Sequence, residues 1–289
     1  MNINGRTRPI AILGNPLGHS LSPLMHNYLF QAAGLNNVYV PLEVKEKDLE
    51  SAVIGLWSLG FIGANVTIPY KEWIMEYLVD ISEEAKLIGA VNTLIRSDEG
   101  FRGDNTDGKG FLNSLLLEKD WQPQAKRAVI LGAGGSARAV CTALALKGTK
   151  EIVLVNRSLP KAEDIISNIA ARIGVKARAM LWEDQGLQAA VSNADIIINT
   201  TPLGMEPKIN VAPPLNTEWL DRGQLVVDLI YNPLKTKLLE EASQRGCEVL
   251  NGLGMLIHQG VLSFKLWTGI EPPLEGLRDL LEKSLKTNY

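Results

Sequence analysis

Residues 128 to 146 constrain the fold most. The apolar run Ala128-Val129-Ile130-Leu131 leads into Gly132-Ala133-Gly134-Gly135-Ser136-Ala137 and then an Ala-rich stretch through Cys141 to Leu146. A strand, a glycine turn and a helix in that order open a βαβ unit of the dinucleotide-binding kind. The glycines allow the turn and let backbone approach a pyrophosphate closely, while the unpaired N–H groups and dipole of the helix start favour its charge. Ala137 stands where a small side chain suffices for helix–strand packing. A plain tight turn would use the same glycines; the strand-to-helix setting is what favours phosphate.

The end of the next strand decides which dinucleotide. An acid there would bond the ribose 2′-hydroxyl and repel a 2′-phosphate. After Glu151 to Val155 the chain instead reads Asn156-Arg157-Ser158-Leu159-Pro160-Lys161, with two cations and no acid. That favours NADP(H) over NAD(H). The plainer alternative is that Arg157 and Lys161 decorate a solvated helix start.

Short β-branched runs alternate with helical periodicity on both sides of this loop, which means an α/β chain of two domains. In the first third, strands are expected at Ile10 to Leu13, Val38 to Glu43 and Ile62 to Thr67, with helices at about Ser22 to Ala33 and Lys47 to Leu59. Val91 to Arg96 and Gly100 to Gly103, separated by a turn-rich segment, read as a small hairpin. After the Asp104 to Gly108 segment a helix is expected to run to about Lys119. A second series of strands then runs through Ala128 to Leu131, Glu151 to Val155, Lys176 to Met180, Asp195 to Asn199, Leu225 to Leu229 and Cys247 to Leu250. Two amphipathic helices, about Gly254 to Thr268 and Leu274 to Lys286, end the chain and are expected to return to the first domain. The expected division is 1–107 with 254–289, and 108–253 as a doubly wound, Rossmann-like nucleotide domain. No long linker separates them, so a cleft between the two is expected.

Composition narrows the partners. With 29 Lys and Arg against 32 Asp and Glu, no basic excess points to nucleic acid. No apolar run reaches the roughly 18 to 20 residues of a membrane helix. Two distant cysteines, Cys141 and Cys247, make neither a disulfide scaffold nor a zinc site and fit a reducing cytoplasm. No spacing of His, Cys, Asp or Glu suggests a metal.

Polar clusters stand at the expected carboxyl ends of the first domain's strands, where α/β folds gather ligand groups. Ser20 and Ser22 sit at a helix start and suit a carboxylate, although Ser22 before Pro23 also reads as an N-cap. Lys71 follows Pro69 and is expected in the first turn of a helix, where a cation opposes the dipole. A snorkelling surface lysine is the plain alternative. Asn92 and Asp107 complete the clusters, with Asp107 also readable as an N-cap.

These segments together resemble the shikimate dehydrogenase family along nearly the whole chain: Gly18 to Pro23, Asn65 to Lys71, Ala90 to Thr93, Asp104 to Gly108, Gly132 to Ala137 and Gly254 to Gly260. The resemblance implies reversible NADP-dependent reduction of 3-dehydroshikimate to shikimate, in the supply of chorismate for aromatic amino acids. It implies that Ser20 and Ser22 hold the substrate carboxylate and that Asn65, Thr67, Asn92, Tyr231 and Gln259 meet hydroxyls or line the pocket. Lys71 and Asp107 would be the catalytic pair. Gly132, Ala133, Gly134, Gly135 and Ser136 would take the pyrophosphate, and Asn156, Arg157, Ser158 and Lys161 the adenosine end. Leu229, where the family commonly has methionine, and Gly252 would lie near the nicotinamide, with Glu83 a further cofactor contact.

Ketone reduction needs a hydride at carbon and a proton at oxygen, and the dinucleotide carries only the first. Lys71, an ammonium at neutral pH, is the expected proton donor. Asp107 would hold it and bind an adjacent hydroxyl. The competing readings are a quinate/shikimate dehydrogenase of broader specificity and a non-catalytic NADP-binding regulator. Serine at both 20 and 22 favours shikimate, and the Lys71 and Asp107 pair argues for turnover. The sequence leaves oligomeric state open, a homodimer included.

Overall fold

The computed structural model describes residues 3–287. The chain forms two compact units, Met1–Gly110 with Ile257–Tyr289, and Phe111–Leu256.

In the first unit the order is β1 (Arg8–Gly14), α1 (Ser22–Ala32), β2 (Asn37–Glu43), α2 (Leu49–Ser58), β3 (Gly63–Val66), β4 (Asp80–Ile81), α3 (Glu83–Ile88), β5 (Thr93–Arg96) and β6 (Phe101–Asp104). These strands make one sheet in the order β2-β1-β3-β5-β6-β4. β1 pairs in parallel with β2 and β3, and β5 alone runs against its neighbours β3 and β6. Ile10, Ala11, Ile12 and Leu13 are all buried, as expected of a strand covered on both faces. The parallel start and the 97–100 hairpin agree with the sequence pattern; the two-residue β4 is too short to leave a periodic signal.

One expectation fails. Residues 68–72 form turns rather than the start of an α-helix, and a 3-10 helix follows at Trp73–Tyr77. The carbonyls that would propagate an α-helix are spoken for: Thr67 O accepts from Tyr70 N at 3.0 Å, and Lys71 O accepts from Val91 N at 2.7 Å. Lys71 therefore opposes no helix dipole, and that argument for its role falls away.

α4 (Asp107–Lys119) carries the chain from the first unit to the second. There β7 (Arg127–Leu131), α5 (Gly135–Leu146), β8 (Glu151–Val155), α6 (Leu159–Ile173), β9 (Lys176–Met180), α7 (Leu187–Ser192), β10 (Ile196–Asn199), β11 (Leu225–Asp228), α8 (Lys237–Gln244) and β12 (Glu248–Leu250) follow in turn. All six strands are parallel, in the order β12-β11-β10-β7-β8-β9. That is the doubly wound arrangement, with the strand order reversing between β7 and β10. α5 and α6 pack on the sheet face of Ile130, Ile152 and Ile198; α7 and α8 pack on that of Val129, Val153 and Ile197. α9 (Leu253–Thr268) returns the chain to the first unit, where α10 (Leu277–Thr287) contacts α1. Among the described residues no helix is long and apolar enough to cross a membrane.

Candidate active site

In the first unit the carboxyl ends of β1 and β3 lie side by side, with Leu13 opposite Val66. The two loops that follow are laced together, since Asn15 N donates to Ile68 O at 3.0 Å and Thr67 N to Leu13 O at 2.9 Å. Ser20 and Ser22 stand on the first loop. Ser22 is not an N-cap: that place falls to Leu21, with no side-chain cap, and Ser22 N donates to Ser20 Oγ at 3.3 Å. Two neighbouring hydroxyls are thus held by one turn, with their capacity to donate unspent on the helix.

Lys71 Nζ lies 2.6 Å from Asp107 Oδ2, with the side chains 13% and 6% exposed. The burial matters, because in a pair this shielded from water each charge depends on the other: removing one leaves its partner buried and uncompensated. Asp107 Oδ1 accepts from Asn92 Nδ2 at 2.8 Å, so both carboxylate oxygens are engaged by side chains and the residue does not serve as a cap. Its own amide donates to Asn105 Oδ1 at 3.0 Å, and Asn105 Nδ2 donates to Ala90 O at 2.8 Å.

Behind this pair runs a buried hydrogen-bond network. Asn92 Oδ1 accepts from Thr106 N at 2.9 Å and from Thr93 Oγ at 2.8 Å. Asn65 Nδ2 approaches Asn92 O at 3.1 Å and Ser263 Oγ at 3.1 Å, while Asn65 Oδ1 accepts from Tyr39 Oη at 2.7 Å. Thr93 and Ser263 share a 2.8 Å hydroxyl contact. Ser263 Oγ also donates to Gln259 O at 3.1 Å, which places Gln259 one helical turn away on α9. The structure thus brings Asn65, Asn92, Lys71, Asp107 and Gln259 into one neighbourhood, with Thr67 at the end of β3. Such networks fix rotamers because any broken bond leaves a buried polar group unsatisfied.

In the second unit Gly132 to Ser136 turn from β7 into α5 at the point where the strand order reverses. Gly132 has φ +103°, and a Cβ there would meet Thr200 Oγ at 2.8 Å. Gly134 takes the N-cap position of α5 without a side-chain cap. First-turn amides not claimed by a side chain, in a cradle that a Cβ would fill, fit a pyrophosphate. Asn156 follows β8 and its amide donates to Ser158 O at 3.0 Å; Arg157 and Lys161 are exposed at the start of α6. A Cβ on Gly252 would fall 2.0 Å from Leu229 O, so these two positions touch through backbone. Tyr231, in the loop after β11, belongs to this unit and not to that of Lys71. Glu83 belongs to the first unit, at the start of α3, and pairs with Lys86 at 2.8 Å with its side chain 91% exposed.

Comparison with known proteins decides the family. A model described as the shikimate dehydrogenase substrate binding domain matches residues 12–94, one described as shikimate/quinate 5-dehydrogenase matches 116–217, and one described as the shikimate 5′-dehydrogenase C-terminal domain matches 252–282. Shikimate dehydrogenase (NADP+) of Methanopyrus kandleri is 42% identical over 99% of this chain and 99% of its own. That of Moorella thermoacetica is 46% identical over 99% of this chain and 96% of its own. The chain belongs to the shikimate dehydrogenase family. A crystal structure of a shikimate dehydrogenase in complex with NADP+ superposes with a TM-score of 0.91 at 42% identity, covering 98% of each chain.

The residues that sequence reasoning missed in this shikimate dehydrogenase fold are those of the supporting layer. Ser263 is fully buried and touches Asn65, Thr93 and Thr106. Its one signal is its position four residues after Gln259, hence on the same helix face. Tyr39 sits inside an apolar strand pattern and reads as core.

Proposed function

We propose that this chain catalyses the reversible, NADPH-dependent reduction of 3-dehydroshikimate to shikimate. The first unit binds the substrate and the second the cofactor. The observation that carries the reading is the shielded Lys71–Asp107 pair, held by Asn92 at strand ends that also present Asn65, Thr67 and the two serines.

NADPH bound on the glycine cradle supplies the hydride. Lys71 Nζ donates the proton to the carbonyl oxygen as that oxygen gains charge, and takes it back in the oxidative direction. Asp107, locked by Asn92, keeps the ammonium aimed and accepts from the neighbouring substrate hydroxyl. Ser20 and Ser22 donate to the carboxylate and so fix which end of the ring enters. Asn65, Thr67, Asn92, Tyr231 and Gln259 serve the remaining hydroxyls or line the pocket. In the second unit Gly132, Ala133, Gly134, Gly135 and Ser136 take the pyrophosphate, and Asn156, Arg157, Ser158 and Lys161 the 2′-phosphorylated adenosine. Leu229 and Gly252 flank the nicotinamide, and Glu83 is a further cofactor contact. The curated relatives carry NADP+ in their names, which supports this choice of cofactor. Both cysteines are buried and unbridged, in keeping with a cytoplasmic enzyme.

The shared shikimate/quinate family description keeps quinate as the second reading. Initial rates with shikimate or quinate, each with NADP+ or NAD+, test both, read from the reduced-nicotinamide absorbance band. We expect kcat/KM for shikimate with NADP+ to exceed every other combination by about tenfold or more. No absorbance change with any pair would defeat the enzyme reading, and preference for quinate would defeat the substrate.

A further inference from the structure

The two faces of the second unit's sheet are covered unequally. α5 and α6, of 12 and 15 residues, span one face. On the other lie α8, of eight residues, and α7, of only six. Beside it, at the amino ends of β7, β8 and β9, lies a cavity of about 460 Å³. Its floor is Val129 and Val153, and α7 contributes the small side chains of Ala189 and Ala190.

The rim is strongly charged. Arg127, Glu151 and Lys176 stand in register across three strands, and Arg178 lies two residues on, hence on the same face. Three cations therefore surround one carboxylate. Glu151 Oε1 is 3.2 Å from Lys176 Nζ and 3.7 Å from Arg178 Nε, and Oε2 is 4.0 Å from Arg127 Nε. Both guanidinium contacts are longer than hydrogen bonds, so they are ionic only. Glu151 is 16% exposed and the cations 44% to 74%, so the carboxylate lies beneath and the cations at the mouth. Two positive charges are left over, on groups that all lie within 4.0 Å of the same carboxylate.

We propose that this cavity binds a small phosphate monoester. The dianion lies on Arg127 and Arg178, whose guanidinium forks suit phosphate oxygens, and on Lys176, whose ammonium adds a point charge; the organic body lies on Val129, Val153 and the alanines of α7. The site is not that of the dinucleotide. Asn156 to Lys161 follow the carboxyl end of β8, roughly 16 Å along the strand from Glu151 at the usual rise per residue.

Calorimetric titration of the full chain with phenyl phosphate and with inorganic phosphate, at fixed ionic strength and with and without saturating NADP+, tests this. Phenyl phosphate is expected to saturate one site that NADP+ does not block, about tenfold tighter than inorganic phosphate because its ring covers the apolar floor. The double variant Arg127→Gln, Arg178→Gln should weaken it at least about tenfold. Glu151→Gln, which removes the competing carboxylate, should tighten it about threefold. Circular dichroism melting checks that both variants fold, and because the two act in opposite directions, a general loss of structure cannot imitate the pattern. Absence of saturable binding, displacement by NADP+, equal affinity for the two probes, an undiminished double variant, or weaker binding by Glu151→Gln would each overturn the proposal.

Discussion

The two units build their candidate sites from different material. In the first, the reactive groups are side chains, and each is held by other side chains: Lys71 by Asp107, Asp107 by Asn92, and Asn92 by Thr106 and Thr93. In the second, the cradle is backbone, fixed by the strand on one side and the helix on the other. Gly132 N donates to Val155 O at 2.8 Å, which pins the turn to the neighbouring strand. A site made of side chains needs a supporting layer to hold its rotamers, whereas one made of amides needs only small residues and a helix start. The first should therefore be sensitive to single polar atoms, in rate more than in binding.

Lys71→Ala is the strongest test of that difference. It removes the proton donor and leaves Asn92 on Asp107 Oδ1, so the pocket keeps its shape. Turnover should fall by on the order of 10²-fold or more, with KM for shikimate and the affinity for NADP+ nearly unchanged. Steady-state kinetics beside NADP+ titration by fluorescence checks it. A variant with wild-type turnover, or one that loses substrate binding in proportion, would show that this ammonium serves the pocket's structure and not the reaction.

The same contrast explains what could be read in the sequence. The backbone cradle has a local signature, because glycines between a strand and a helix have few other uses, and the parallel sheets follow from buried β-branched runs such as Ile196 to Ile198. Lys71 and Asp107 were legible as polar residues at strand ends, yet the reason first offered for Lys71 depended on a helix that Val91 prevents by taking the lysine's carbonyl. The supporting layer was not legible. Asn65 and Ser263 are 198 positions apart, and no local pattern reports a bond formed only when α9 returns. Tyr39 and Thr93 are residues that strands favour for reasons of shape, so their hydroxyl bonds add nothing to the pattern.

Each unit also buries a titratable group outside the reaction, and the two respond to pH in opposite senses. His26, in the first unit, is fully buried, stacks on Tyr39 at 4.5 Å and lies 5.1 Å from Trp267. Burial lowers its pKa from 6.5 to about 3, only partly offset by the nearby Asn65 amide. The unfolded chain therefore takes up a proton that the folded one refuses. The stability this group contributes is complete above pH 6.5 and drains away as pH falls toward 3. Between pH 7 and pH 5 the loss should be about 2 kcal/mol. His26→Phe, which keeps an aromatic ring among Phe30, Tyr39 and Trp267, should abolish it. Urea unfolding at a series of pH values measures this; an unchanged pH slope in the variant would refute it.

Asp228, in the second unit, has the opposite and smaller effect. It is fully buried at the end of β11, and burial raises its pKa from 3.8 to about 6 despite three donors: Thr236 Oγ at 2.7 Å, Ile230 N at 3.1 Å and Asn199 Nδ2 at 3.0 Å. Here the folded chain binds the proton more tightly than the unfolded one. The contribution to stability is complete below pH 3.8 and is lost as pH rises through 6. From pH 5 to pH 7 the fold should lose about 1 kcal/mol through this group, against the gain from His26. Asp228→Asn keeps one oxygen for Asn199 and Ile230 and offers an amide nitrogen to the Thr236 hydroxyl, which can accept as well as donate. The variant should therefore fold with a steeper rise in stability from pH 5 to pH 7 than the wild type, because the opposing carboxylate is gone. The same urea series reads the result, and an unchanged rise would mean that the carboxylate is charged in the folded chain throughout that range, held so by its three donors.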